Sequence, residues 1–523
     1  MVFRTIATTA AILVGLALTG AVAGPQWDPV PVTDHLVPAT EDTAIGGVDA
    51  EAAEELGAVG AYEVRETAVT IPLDGTAVGG LLRQPVGDDG EVLADRPGVV
   101  YVHGAGTGKS TEAFIESATA LASAGIVTLV PDKRLDTYTT RDRDYVAMAA
   151  DYRRSVDLLR TVDGVDAAQV GVYGESEGTW IVPVMQAQDP TIAFTVLVSA
   201  PVVPPRQQAA FAVDSYLRNT GVPEQVFRAI PRAVGMQLPG GGFEYADFDV
   251  RPWLEEQTAP VLVAYGTADP SMPIEQGARQ VIADTAVNGD DAPVTVRYYA
   301  GANHGINVPL DGGMHLHPDF ARDVATWVQG MPATADAAPR IAGDTPNQLY
   351  LASAVPQPRW WGNGDIVVGA VIAGVALLVV GPVVWGAHAL VRRTLLRRSS
   401  TVAPRLARGL RSSLLGLALG SVATMIALVA YLLAVARLAL DYERDDLVVQ
   451  GGWIVVRLLG VAAAVAAALV IRRVADARAE RRAGADVAVA RGWPAVLTFW
   501  CTLAGSLAVL GTLAYWGVYQ LGI

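Results

Sequence analysis

The stretch Val170-Gly-Val-Tyr-Gly-Glu-Ser-Glu-Gly178 constrains the fold of this chain more than any other. Val170 to Tyr173 is a short apolar run suited to a buried strand, and Thr179 to Ala187 reads as a helix. Reversal from strand to helix at one residue forces Ser176 into a strained backbone conformation. Side chains at positions 174 and 178 would then collide with each other and with the flanking elements, and Gly174 and Gly178 remove both clashes. The Ser176 hydroxyl is left projecting from the tip, ahead of a helix N-terminus that favours nearby negative charge. A strand before and a helix after make Ser176 a candidate nucleophile rather than a plain turn residue.

At 523 residues the chain exceeds one ordinary domain. Its first two-thirds reads as globular, and its last third is apolar and rich in arginine. The net charge of −15 therefore belongs to the globular part, which argues against nucleic acid as a partner. A single cysteine, Cys501, rules out a disulfide within the chain. Near the start, Arg4 precedes an uncharged run from Thr5 to Gly24, and Ala21-Val-Ala23 fits a signal-peptidase site. Residues 1–23 are expected to be a signal peptide or an uncleaved N-terminal anchor, either of which exports the adjoining globular part. Residues 24–59, rich in Pro, Asp, Thr and Ala, read as a loosely ordered lead-in.

Residues 60–330 carry the globular pattern. Tyr62 to Ile71 and Val78 to Arg83 form a hairpin about Asp74-Gly75. Beyond it, Val-rich strands alternate with helices. The strands are Gly98 to Val102, Ile126 to Val130, the run before Ser176, Phe194 to Val198, Val261 to Tyr265 and Val294 to Tyr299. Helices are expected over Thr111 to Ala124, Asp142 to Val162 and Phe320 to Val328. The class is α/β, with a mostly parallel, doubly wound sheet covered on both faces. An insertion over about 201–255 suits a lid. Its apolar residues, Phe211, Tyr216, Leu217, Val226, Phe227, Ile230 and Met236, either line an acyl pocket or pack as core. Gly240-Gly-Gly242 would make one end mobile.

A serine hydroxyl needs an adjacent base. Of six histidines, His304 in Gly301-Ala-Asn-His-Gly305 lies just after the last strand, where sites assemble in open α/β sheets. His315 and His317 are the alternatives. Asp269, in Gly266-Thr-Ala-Asp-Pro270, would fix the tautomer of the base and stabilise its cation. The developing oxyanion needs backbone N–H donors. One should come from Glu177, the other from the loop His103-Gly-Ala-Gly106, with Ala105 assigned and Gly104 or Gly106 possible. The same loop invites a phosphate-binding reading through Gly104-Ala-Gly-Thr-Gly-Lys109-Ser110, but the pattern requires glycine where His103 stands.

With these residues in place, residues 60–330 resemble the α/β-hydrolase superfamily, in particular its dienelactone hydrolase and prolyl-oligopeptidase-like branches. Five features carry the resemblance: His103-Gly-Ala-Gly106, Gly174-Glu-Ser-Glu-Gly178, the position of the lid, Gly266-Thr-Ala-Asp269 and Ala302-Asn-His304. The order serine, aspartate, histidine is that of the superfamily. Dienelactone hydrolases proper use cysteine where this chain has Ser176. The resemblance implies a serine hydrolase acting on an ester, thioester or amide, with a small-molecule or lipid-like acyl substrate and neither cofactor nor metal. Peptidases and acyltransferases share the same machinery.

After a Pro/Ala-rich linker at 331–362, a membrane domain is expected over residues 363–523. Its apolar runs, about 366–390, 414–436, 447–471 and 493–519, can each cross a bilayer of about 30 Å. The loop from Arg392 to Arg411 holds seven arginines and no acids, and that from Arg472 to Arg491 six arginines and three acids. Asp441 to Asp446 is acidic. Arginine-rich loops stay cytoplasmic, which puts the globular domain outside. Arg457 is the one ionisable residue well inside a run, four residues from Trp453 and able to reach the interface. The expectation is a multi-pass membrane protein with an extracytoplasmic serine hydrolase. The reading from another class is a transport or sensing protein whose hydrolase-like domain only binds.

Overall fold

A computed structural model of the chain describes residues 2–23, 27–227, 233, 242–287, 292–357, 359–394, 403–441 and 443–520. It divides into two compact units. A sheet unit comprises residues 29–212 and 243–354, and a helical unit comprises residues 1–28, 213–242 and 355–523.

The sheet unit is built on β1 (Glu63–Leu73), β2 (Thr76–Val86), β3 (Arg96–Val102), β4 (Val127–Pro131), β5 (Val165–Glu175), β6 (Thr195–Val198), β7 (Val261–Gly266) and β8 (Val294–Tyr299). A small hairpin, β9 (Asn307–Leu310) with β10 (Gly313–Leu316), and a last strand, β11 (Ile341–Gly343), come after them. Nine strands form one sheet in the order β1-β2-β4-β3-β5-β6-β7-β8-β11. β2 runs antiparallel to β1 and β4, and every pairing from β4 across to β11 is parallel. This is the α/β-hydrolase fold that the motifs imply. Alternation along each strand sends successive side chains to opposite faces. Val100 and Val102 pack with Tyr145, Trp180 and Val281 on one face, and Val99 and Tyr101 with Leu121, Phe320 and Trp327 on the other. Covering helices on both sides explain why the strands are apolar throughout rather than alternating with polar residues. The helix Tyr145–Leu159 starts later than the sequence pattern suggests, because Asp144 caps it by accepting from Val146 N and Ala147 N.

The structure corrects two expectations. The lead-in is not loose, because buried charges recruit its backbone. Glu275 accepts from Leu36 N at 2.7 Å and pairs with His35 Nδ1 at 3.0 Å, and Arg297 Nε donates to Thr43 O at 2.7 Å. A buried charge needs such partners, and the extended lead-in supplies them. The linker is likewise part of the sheet, since Ile341 to Gly343 pair in parallel with Val296 to Tyr298. In the segment expected to be a lid, the helix Pro205–Thr220 places Phe211 in a small core with Val203 and Ala352. Leu217 and Val226 are buried, and Arg218 lies over the Phe227 ring at 4.8 Å. Ile230, Met236, Gly240 and Gly241 lie outside the described residues.

Among the described residues, the helical unit holds five helices long and apolar enough to cross a membrane: Val2–Ala23, Gly364–Thr394, Leu410–Leu440, Leu447–Arg482 and Trp493–Tyr515. Glycines set their spacing. A Cβ on Gly505 would lie 2.6 Å from Gly374 O, and one on Gly420 would lie 3.2 Å from the Ala463 Cβ. Arg457 donates to Gln520 O at 3.0 Å. Arg405 and Leu406 pair with Arg491 and Ala490, so the two arginine-rich loops share one end of the bundle.

The N-terminal helix is packed into this bundle. A Cβ on Gly20 would lie 2.2 Å from Ala514 O, Arg472 donates to Thr5 Oγ1 at 3.4 Å, and Trp361 Nε1 donates to Ala23 O at 2.7 Å. A helix held near both ends should remain attached. The intact mass of the purified protein is expected to include residues 2–23, and a product beginning at Gly24 would contradict this packing.

Candidate active site

The nucleophile candidate sits where β5 ends and the helix Gly178–Gln188 begins. Ser176 has φ +54°, a left-handed conformation that non-glycine residues rarely adopt. The flanking glycines leave no room for side chains. A Cβ on Gly174 would lie 2.8 Å from Gly178 O, and one on Gly178 would lie 2.4 Å from Val102 O. Ser176 N donates to Val198 O at 3.0 Å, which fixes the turn to the end of β6.

Asp269 follows β7 and His304 follows β8. Their loops cross closely, with Ala268 N donating to Ala302 O at 3.0 Å and no space for a Cβ on Gly266. His304 Nδ1 donates to Asp269 Oδ2 at 2.7 Å, since a carboxylate can only accept. The other oxygen, Asp269 Oδ1, accepts from Ser271 N at 2.9 Å and Ser271 Oγ at 2.6 Å. Ser199 Oγ donates to His304 O at 2.7 Å. Because Ser199 follows the residue that holds Ser176 N, this contact brings the histidine loop and the serine turn onto neighbouring strand ends. Among the described residues, no hydrogen bond joins Ser176 Oγ to His304. Hydrogen bonds of this kind are often long without substrate and tighten in the Michaelis complex.

Burial alone would raise the Asp269 carboxyl. The charge and hydrogen bond of His304, with both Ser271 bonds, outweigh burial and hold it below its ordinary value. Burial alone would lower His304, and the Asp269 charge and hydrogen bond, with a smaller contribution from Glu175, raise it instead. The neighbouring Glu175 carboxyl is itself raised, by burial first and by Asp269, against the pull of His304. The His304 side chain keeps 35% of its surface exposed while that of Asp269 is fully enclosed.

The other histidines have different jobs. His103 is buried, its Nε2 donates to Pro131 O at 2.7 Å, and burial depresses its pKa to about 4. His315 faces Glu116 at 3.7 Å, and His317 caps the helix Pro318–Gln329. The loop after β3 is tied down as well. Lys109 Nζ reaches Asp132 Oδ2 at 3.2 Å, and Ser110 donates twice to Asp132 Oδ1 at 2.8 Å. The lysine that a phosphate-binding loop would aim at its ligand is thus engaged by a carboxylate. Sequence reasoning missed Ser199, Ser271 and the partners of buried Glu177, which are Lys133 and Tyr145, both buried, and Arg143 and Tyr138, both half-buried. Only Ser271 left a local signal: it stands two residues after Asp269, at a turn where an Asp side chain bonds the backbone.

No protein-family model and no curated protein matches the chain. Among solved structures, an esterase from the archaeon Pyrobaculum calidifontis is 19% identical, with TM-score 0.38, over 54% of this chain and 87% of its own. A protein described as a putative dienelactone hydrolase from Klebsiella pneumoniae is 17% identical, with TM-score 0.33, over 52% of this chain and 98% of its own. A protein described as a dipeptidyl aminopeptidase IV from Bacteroides ovatus is 17% identical, with TM-score 0.34, over 52% of this chain. The chain spans only 36% of that last protein's length. The sheet order and the serine turn described above are, by themselves, those of the α/β-hydrolase fold.

A histidine base works in its neutral form, so with His304 in that role kcat/KM should fall as pH drops through its pKa. That pKa is raised, so the acid limb of the profile should be centred above the ordinary histidine value of about 6.5. Asp269→Asn removes the raising charge. It should move the limb to lower pH and reduce kcat by about 10⁴-fold, measured on an ester substrate from pH 4 to 9. A limb unmoved by this substitution would remove Asp269 from the base's environment.

Proposed function

We propose that the chain is a membrane-anchored serine hydrolase that cleaves an ester, thioester or amide through an acyl-enzyme on Ser176. His304 takes the proton of the Ser176 hydroxyl as the oxygen attacks the acyl carbon. Asp269 holds His304 in the tautomer whose Nε2 can accept that proton, and stabilises the cation that forms. The N–H groups of Ala105 and Glu177 receive the oxyanion of the tetrahedral intermediate. His304 then gives the proton to the leaving group. Water, activated by the same histidine, releases the acyl group and restores the serine. The observation that carries this reading is the 2.7 Å pair of His304 and Asp269 beside a serine at φ +54°.

The apolar helices are read as the anchor. The charge rule that keeps arginine-rich loops in the cytoplasm would put the hydrolase on the extracytoplasmic side, facing lipid-like or small acyl substrates.

Ser176→Ala in the full-length detergent-solubilised protein should lower turnover of p-nitrophenyl esters by about 10⁴-fold or more. Retention of most activity in a folded variant would defeat the assignment. For the orientation, Ser412→Cys and Glu443→Cys are made separately in a Cys501→Ala background. An impermeant maleimide added to spheroplasts should label the second and spare the first, and the reverse pattern would invert the topology.

A further inference from the structure

A buried ammonium stands behind the proposed oxyanion donors. Lys133 follows β4, is 3% exposed, and is anchored through its backbone N–H to Gly108 O at 2.9 Å. Its Nζ donates to Gly104 O at 2.7 Å and to Glu177 Oε2 at 3.1 Å. Glu177 is 1% exposed and gathers four donors on its two oxygens. Tyr138 OH shares Oε2 at 2.9 Å, while Arg143 at 2.6 Å and Tyr145 OH at 3.4 Å reach Oε1.

Stability alone is a poor reason for this arrangement. Desolvation cancels much of the attraction in a buried ion pair, and an apolar pair of similar volume would fill the core as well. An apolar side chain could not, however, hold the Gly104 carbonyl. Gly104 C=O and Ala105 N–H belong to one planar trans peptide unit, in which they point in opposite directions. Holding the oxygen on Lys133 therefore sets the direction of the Ala105 N–H. The same ammonium holds the side chain of Glu177, whose own N–H is the second donor. The two segments are in close approach, since a Cβ on Gly104 would lie 3.2 Å from the Ser176 Cβ. Among the described residues, neither the Ala105 N–H nor the Glu177 N–H donates to a protein acceptor.

We propose that Lys133 is a positioning residue for acyl transfer at Ser176. Its ammonium directs the Ala105 N–H through the Gly104–Ala105 peptide and helps to hold the side chain of Glu177, the residue that carries the other proposed donor. The proposal rests on the reading of Ser176 as nucleophile. Two basic side chains, Lys133 and Arg143, face one carboxylate and offset its negative charge behind the donors, which favours an oxyanion in front of them. The effect belongs to the transition state, where the oxyanion exists, and not to ground-state binding.

The test uses the full-length protein in detergent, with Lys133→Met, which leaves Glu177 paired with Arg143, and with the double variant Lys133→Met/Glu177→Gln, which takes the carboxylate away from Arg143 as well. Fluorophosphonate titration counts active sites, and a melting curve checks folding. Three quantities are then measured: kcat and KM for a p-nitrophenyl ester, and the affinity of a trifluoromethyl ketone, whose serine adduct carries an oxyanion. Loss of donor alignment should lower kcat per site by about 10²-fold, with KM within about threefold, and weaken the ketone in parallel with kcat. Lys133→Arg, which keeps the charge, should fold and recover part of the lost ketone affinity. A folded variant of either of the first two with normal kcat per site and normal ketone affinity, its melting temperature lowered or not, would overturn the positioning role. Activity surviving in Ser176→Ala would instead overturn the nucleophile assignment, so the two failures are distinguishable.

Discussion

One backbone angle governs the site: Ser176 at φ +54°. A left-handed conformation at a residue with a side chain costs roughly 1–2 kcal/mol, and it persists only where the surroundings over-determine it. Here they do so from several directions. Gly174 and Gly178 approach too closely for side chains, Val198 O takes the serine N–H, and Gly104 runs alongside the serine Cβ. The strain places a hydroxyl at the tip of the turn, and the same crowding brings the loop after β3 against it. The proposed nucleophile and the proposed oxyanion donors are thus brought together by one tight reversal.

Buried charge arranges the rest of the sheet unit. Asp269, Glu177, Glu275 and Arg297 are each buried, and each costs free energy unless its lone pairs or protons are used. Satisfying them forces specific segments together. Asp269 fixes His304 and the turn at Ser271, and Glu177 collects Lys133, Arg143, Tyr138 and Tyr145. Glu275 and Arg297 tie down the lead-in on the same principle. These groups select one arrangement of loops over a sheet whose hydrophobic packing would tolerate several.

In the helical unit the deciding contacts are of the opposite kind. Gly20, Gly374, Gly420 and Gly505 allow backbones to approach one another, and close van der Waals contact is what drives association where the solvent is as apolar as the side chains. Arg457, well inside an apolar run, donates one hydrogen bond to the carbonyl of Gln520.

The sequence alone determined the features that short-range rules encode. Two glycines around a serine predict the reversal, Val-rich runs between helical patterns predict the parallel sheet, and His304 and Asp269 are marked by their places just after strands. About twenty apolar residues in a row predict a span whatever surrounds them. Only tertiary structure decided which distant groups meet. Lys133 and Glu177 are 44 residues apart, His304 and Ser199 are 105, and His35 and Glu275 are 240. Such pairs leave no periodicity in the chain. The same holds for the lead-in, whose composition suggests looseness, and for Ile341 to Gly343, too short to announce a strand. Their order comes from partners that exist only once the sheet has formed, because a buried carboxylate or an unpaired strand edge acquires its demand for hydrogen bonds by being taken out of water.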